Sequence, residues 1–396
     1  MLNPRNPRDL VLSTMHDVAF LISAPGRVNL IGEHVDYNMG IVLPVTVDRR
    51  IWLAVKPLEK PLLHITALDL GEEVEIDLRN LAARIDTKNN PLPLWGYYPA
   101  AVAWVFQSKG YRVNGLEACI ASNLPMRAGL SSSAAIEVAF ALAFQTSAEI
   151  KMDRMQMAQL CQAAESSFIG VHCGLMDQFA VSHGVARHAL LFDTQSLVWQ
   201  PIPLPPESVL VVADSGKKRE LAGSAYNQRQ QECQHAVELF RKQNPAIQSL
   251  RDVDFDMFKR YEHSLPQPIA NRARHVIEEI DRVRRSAIML INEDSASFGQ
   301  IMFEGHRSLR DQYEVSCEEL DFLVETAAQL PGCLGARLTG AGFGGCTVNL
   351  VQKADAEQFC QQLQAAYRNR FFTELKTYIC QADRGAYMEK LEKAIV

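Results

Sequence analysis

The sequence predicts an α+β protein of two domains, on three observations. Strand-like runs crowd the first quarter and helical spacing dominates later, without the regular strand–helix alternation of a parallel α/β sheet. The segment WQPIPLPPES at 199–208 carries four prolines, and no helix can run through it. The chain has 396 residues, 47% of them hydrophobic, which is an ordinary globular composition at a length that suggests two domains. The boundary is expected within the proline-rich segment, giving units of 1–204 and 205–396.

The elements follow in order. IVLPVTVD (41–48), IWLAVKP (51–57) and EEVEIDL (72–78) read as strands from their β-branched density and alternation. Three serines at 131–133 stand where a helix would begin, and residues 134–144 are apolar all round except Glu137, so that helix should be buried. Met157, Leu160, Cys161, Ala164 and Phe168 mark one face of a further helix, which Gly170 ends. HALLFDTQS (188–196) reads as a strand, and VLVVADS (209–215) restarts strand character past the prolines. Helices are expected over 224–245, 271–292, 316–329 and 354–368, with CTVNLV (346–351) a buried strand. No internal repeat or low-complexity tract interrupts the chain.

Composition removes several function classes. The net charge of −6 argues against a broad basic surface and hence against a nucleic-acid partner. The nine cysteines are scattered and form no CxxC pair, as for reduced thiols that act as small buried residues. The first residues carry charges and prolines where a secretory leader needs an apolar core. No apolar run reaches the roughly 20 residues that span a bilayer. A cytoplasmic protein with no membrane partner is therefore expected.

Three stretches carry chemistry. LPMRAGLSSSAAIEVAFALAF (124–144) joins a Gly- and Ser-rich turn to a buried helix. Backbone N–H groups at such a helix start, together with the helix dipole, attract an anion such as a di- or triphosphate. A plain Ser-capped core helix would read the same way. The stretch lacks a Gly-Lys-Ser/Thr ending and is not a P-loop. APGRVNLIGEHVDYNMGIVLP (24–44) crowds Arg27, Glu33, His34 and Asp36 between apolar residues. Two carboxylates and an imidazole suit a polyhydroxyl ligand, although DYN could equally be a solvated turn. LTGAGFGGCTVNLV (338–351) spells G-x-G-x-x-G at Gly340, Gly342 and Gly345. A strand rather than a helix follows, which excludes a dinucleotide fingerprint, and so dense a glycine loop says that something approaches the backbone closely.

These three stretches resemble the three motifs of the GHMP small-molecule kinases, and GRVNLIGEHVDYN resembles the signature of the galactokinases among them. CGLMDQFA (173–180), ELAGSAYNQR (220–229), HRSLRDQYEVSCEELDFLV (306–324) and PGCLGARLTGAGFGGC (331–346) extend the similarity along most of the chain. The resemblance implies a ribosomal S5 domain 2-like N-terminal half, a ferredoxin-like C-terminal half, and an active site in the cleft between them. It implies transfer of phosphate from ATP to α-D-galactose, giving galactose 1-phosphate and ADP with Mg²⁺. A monomer or weak dimer is expected.

It also implies roles. Asp177 matches the catalytic aspartate, which would take the proton of the anomeric hydroxyl as it attacks the γ-phosphorus. Arg27 matches its partner arginine, which would keep Asp177 ionised and offset phosphoryl charge. Glu33, His34 and Asp36 match residues that bind sugar hydroxyls, with Gly174 and Tyr226 as further sugar contacts. Gly129, Leu130, Ser131, Ser132, Ser133 and Ala134 match the phosphate loop, in which Ser133 reaches Mg²⁺. Glu165 matches the metal-side carboxylate. It lies on the apolar helical face, where an inward carboxylate needs a cation or an arginine as partner. Trp95 matches an aromatic near the adenine and reads equally as a core tryptophan. The chain departs from the family pattern at Arg127 and Met39, where glycine is usual or frequent. Within the family the alternative substrate is a related sugar such as N-acetylgalactosamine. Outside catalysis the alternative is a galactose-sensing regulator, against which stand the complete GLSSSAA and Asp177.

Overall fold

The computed structural model describes residues 6–125, 129–171, 173–217 and 222–391. In chain order the first half contributes α1 (Pro7–Thr14), β1 (Phe20–Asn29), β2 (Ile41–Val42), β3 (Pro44–Leu58), β4 (Leu62–Ala67), β5 (Glu72–Asp77), α2 (Tyr97–Ser108), β6 (Gly115–Ser122), α3 (Ser132–Ser147), α4 (Arg154–Ala164), α5 (Met176–His183), β7 (His188–Asp193) and β8 (Trp199–Pro203). The second contributes β9 (Ser208–Asp214), α6 (Ala222–Arg241), α7 (Phe255–Tyr261), α8 (Ile269–Ile291), α9 (Ser295–Asp311), α10 (Glu318–Ala327), β10 (Cys333–Thr339), β11 (Cys346–Gln352), α11 (Ala356–Phe371), β12 (Lys376–Cys380) and β13 (Tyr387–Lys390).

The strands make three sheets. Six form the order β13-β1-β3-β6-β4-β5, four the order β10-β11-β9-β12, and three the order β2-β7-β8. The run expected over 41–48 divides between β2 and the start of β3, and β3 continues through the 51–57 run as one strand, with a register shift against β1 at residues 47–49. The proline-rich segment contains no helix, as expected, yet its first part is the strand β8. It lies at an edge, paired only with β7, where a missing N–H costs no ladder bond. The last strand, β13, returns to pair with β1 of the first sheet.

Helices α2, α3, α4 and α5 pack together, with α3 and α5 against β1 and β3 of the six-stranded sheet, while α1 packs on β3 and β6. Helix α3 is the buried helix its sequence predicts. Phe140 and Phe144 are enclosed, and Glu137 is fully buried among them. The second sheet is covered by α9, α10 and α11. A continuous core runs from Leu53 and Phe106 in the first half through Val212 and Val348 in the second, so the two halves share apolar packing as well as a cleft. Among the described residues no helix is long and apolar enough to cross a membrane.

Candidate active site

A cleft of about 470 Å³ lies where the halves meet, lined by Arg27, Asp36 and Ser131–Ser133 from the first and by Tyr226, Gly340 and Ala341 from the second. Asp177 stands in the first turn of α5. Arg27 reaches it from β1, just past a register shift at which the single residue Gly26 stands opposite residues 47–49 of β3, and pairs there with Thr46. The Arg27 Nε donates to Asp177 Oδ1 at 2.7 Å and Nη2 to Oδ2 at 2.6 Å, a bidentate pair. The remaining nitrogen, Nη1, donates to the Gly129 carbonyl at 2.9 Å, and the Arg27 backbone N–H donates to the Leu130 carbonyl at 3.1 Å. The candidate catalytic aspartate and the candidate phosphate loop are thus tied by one side chain.

Ser131 does not cap α3, as a serine there can. It sits at the N-cap with φ of 53° and makes no capping bond. Its hydroxyl donates instead to Asp177 Oδ2 at 2.5 Å. Among the described residues the first N–H groups of α3 therefore have no side-chain cap, which leaves them for an anion. Ser132 and Ser133 line the same cleft. Leu130 and Ala134 are buried apolar side chains, so only their backbone can serve a ligand.

The sugar-loop residues cluster beside Asp177. Glu33 is buried, and burial pushes its carboxyl up to about 7, against the pull of Arg337. His34 has a φ of 64° and shares hydrogen bonds with the Tyr37 hydroxyl at 2.9 Å (Nδ1) and the Ala341 carbonyl at 3.2 Å (Nε2). Burial pushes its imidazole down to about 3, so the ring is neutral. Asp36 is raised to about 6, first by burial and then by the neighbouring Asp177. DYN is not a solvated turn: Asn38 is buried and the Tyr37 hydroxyl meets that of Tyr313 at 2.7 Å. Gly174 lies against Asp36, and a Cβ there would fall 2.0 Å from Asp36 Oδ2, so no side chain fits without moving that carboxylate. The Tyr226 ring stands 5.4 Å from those of both His34 and Tyr37.

Glu165 closes α4 and opens a single π turn that ends at Gly170 with φ of 91°. Among the described residues no arginine pairs with it. It accepts from Gln178 Nε2 at 2.7 Å and from Cys173 Sγ at 3.2 Å, and the same Nε2 donates to Glu137 at 2.9 Å. Burial raises the carboxyls of both glutamates. Among the described residues Glu137 Oε1 has no hydrogen-bond partner. This orphaned oxygen, Glu165 and the cleft-lining Ser133 make a hard oxygen donor set of the kind Mg²⁺ takes. Among the described residues no three His, Cys, Asp or Glu side chains form a ready metal cage.

Trp95 stands apart from the other candidates. Its Nε1 donates to Glu72 at 2.5 Å and its ring packs on the first core, while Tyr98 of α2 lines the cleft. Arg127 lies outside the described residues. Met39 has φ of 59°, which explains why glycine suits that position. The glycine loop at 340–345 precedes β11, and a Cβ on Gly342 would sit 2.2 Å from the Val315 carbonyl. What approaches that backbone is the protein's own chain. Sequence reasoning missed Tyr98, Asn227 and Arg337, which carry no spacing signal, and Gln178, whose neighbour Asp177 was the only hint.

Comparison with known proteins gives a consistent result. Residues 13–57 match the family described as the galactokinase galactose-binding signature, 97–185 the GHMP kinases N terminal domain, and 285–369 the GHMP kinases C terminal domain. The chain is 45% identical over 365 residues to a galactokinase of Roseiflexus sp., covering 92% of each chain. It resembles the crystal structure of Lactococcus lactis galactokinase complexed with galactose at a TM-score of 0.88 and 30% identity, covering 96% of this chain and 97% of that one. Its fold also resembles that of Methanococcus jannaschii mevalonate kinase, at a TM-score of 0.66 and 17% identity over 93% of this chain and 100% of that one.

Proposed function

Because the chain belongs to the galactokinase family of the GHMP kinases and is an ATP-using sugar kinase, we propose that it transfers the γ-phosphoryl group of ATP to the anomeric hydroxyl of α-D-galactose. The products are galactose 1-phosphate and ADP. The observation that carries this reading is the meeting of Arg27, Ser131 and Asp177 between a buried polar loop and an uncapped helix start. We divide the chain as 1–204 and 205–396, with the cleft between.

Glu33, His34, Asp36, Gly174 and Tyr226 bind the sugar and present its anomeric oxygen to Asp177. Arg27 and Ser131 occupy three of the roughly four acceptor positions of that carboxylate and leave one on Oδ1. The sugar hydroxyl donates there, its proton passes to Asp177, the sugar oxygen bonds to the γ-phosphorus, and the bond to the β-phosphate oxygen breaks with ADP as leaving group. The backbone of Gly129–Ala134 cradles the phosphates at the start of α3. Ser133 and Glu165 would hold Mg²⁺, which when bound would neutralise charge developing on the transferred phosphoryl group. Trp95 is at most a second aromatic behind Tyr98 at the nucleotide.

ATP turnover against galactose, N-acetylgalactosamine, galacturonate, arabinose and glucose tests the reading. Galactose should be the best substrate. Glucose should be poorer by about 1–3 kcal/mol for each buried polar group that its C4 epimer leaves unpaired. Equal use of galactose and glucose would remove the assigned role of Glu33, His34 and Asp36.

A further inference from the structure

We infer that Arg337, on β10, is a positioning residue that sets sugar affinity by fixing which oxygen of Glu33 the substrate meets. The inference rests on the proposed function, in which Glu33 receives a sugar hydroxyl. Glu33 is 1% exposed and Arg337 is fully enclosed. Arg337 Nη2 donates to Glu33 Oε2 and, at 2.8 Å, to Glu279 Oε1. Glu279, on α8, also accepts from Arg282 Nε at 2.6 Å and from the Gly32 backbone N–H at 2.9 Å. Elements of the second half thus grip both the side chain at 33 and the backbone before it.

The grip is one-sided. Glu33 Oε1 has no hydrogen-bond partner among the described residues. A buried carboxylate oxygen without a donor is costly to leave so. The residue lines the cleft, so a ligand hydroxyl is the donor that satisfies it. Two buried glutamates in one network repel, and the Arg337 and Arg282 guanidiniums balance them. Without Arg337 the Glu33 carboxyl takes up a proton and loses its fixed rotamer, so the cleft gains a donor where it needs an acceptor. The guanidinium has no room to swing aside. A Cβ on Gly305 of α9 would lie 2.4 Å from Arg337 Nη1.

The test uses the full chain as Arg337→Lys, Arg337→Met and Gly305→Ala. Each is assayed for kcat and for KM of galactose and ATP from pH 6 to 9, with galactose binding by calorimetry and folding by circular dichroism. We expect Arg337→Lys to raise the galactose KM about tenfold or more, because a single ammonium cannot hold both carboxylates as the guanidinium does. The KM for ATP should stay within about twofold and kcat within about threefold, since the interaction acts on sugar binding alone. The acid limb of kcat/KM for galactose should move to higher pH. Gly305→Ala, which displaces the guanidinium without removing it, should act in the same direction. Adding Glu33→Gln to Arg337→Met should leave galactose binding no weaker than in Glu33→Gln alone. A folded Arg337→Lys with unchanged galactose KM and pH limb overturns the inference, and so do equal losses for galactose and ATP. Wild-type enzyme that fails on galactose overturns the proposed function instead.

Discussion

Replacing Asp177 with asparagine removes one charge and one acceptor at the point where three donors converge. Arg27 Nε and Nη2 and the Ser131 hydroxyl all end on this carboxylate at 2.5–2.7 Å. Asparagine offers one oxygen and an NH₂, so at least one guanidinium N–H of a residue 5% exposed faces another donor. Asp177 itself is 27% exposed, so water softens the loss, and the stability cost should be about 1–3 kcal/mol rather than that of a fully buried broken pair. The rate suffers more. Among the described residues no other carboxylate pairs with Arg27, and losing a group that accepts the proton costs about 10²–10⁴ in kcat. Steady-state ADP release, coupled to NADH oxidation, measures this, while calorimetry should find galactose bound within about tenfold of wild type because Asn can still hydrogen-bond the hydroxyl. A folded Asp177→Asn enzyme with turnover within about fivefold of wild type would refute the assigned role, because base removal should cost far more.

Other outcomes follow from the same geometry. Burial pushes Glu33 up to about 7 and Asp36 up to about 6, and in the proposed function both receive sugar hydroxyls as carboxylates. The kcat/KM for galactose should therefore fall as pH drops through that window while the KM for ATP holds, and a flat profile from pH 5.5 to 8 would contradict it. Stability runs the other way. Both folded values lie above the ordinary 4.5 and 3.8, so the folded chain binds more protons, and this contribution, full below those ordinary values, is lost as pH rises through 6 to 7. Added galactose should accordingly raise Tm more at pH 8 than at pH 5.5. Met39→Gly should stabilise the protein by about 0.5–1 kcal/mol in urea unfolding, because the left-handed backbone at 39 strains a side chain that is 47% exposed. A loss of stability in that variant would show that the methionine's contacts outweigh its backbone cost.

The parts of this molecule legible in its sequence are those with local causes. Helix α3 declared itself by an apolar run with a single polar residue, and the helix through Cys161 by its face and its terminating Gly170. Strands β9 and β11 declared themselves by β-branched density, β5 by alternation and β7 by an apolar run. Strand β1 was hidden because Pro25 and Gly26 break its sequence pattern, and the register shift before Arg27 depends on residues 47–49 of β3, which no local signal marks. The sugar-loop residues were legible because polar groups crowded an apolar context. Arg337 was not, because its role depends on Glu33, 304 residues away, and on Glu279 from a different helix. Trp95 and Tyr98 show the same limit. Two aromatics one helical turn apart look alike in sequence, and only packing decides which one lines the cleft.

The central claim is the position of phosphorylation, and phosphorus NMR of the product formed from galactose and ATP tests it most directly. Transfer to the anomeric oxygen gives a monoester coupled to the single proton at C1, and the reducing end disappears in step with ADP release. A monoester coupled to two protons, as for phosphate on the C6 oxygen, would contradict the account. So would ATP hydrolysis that galactose does not stimulate.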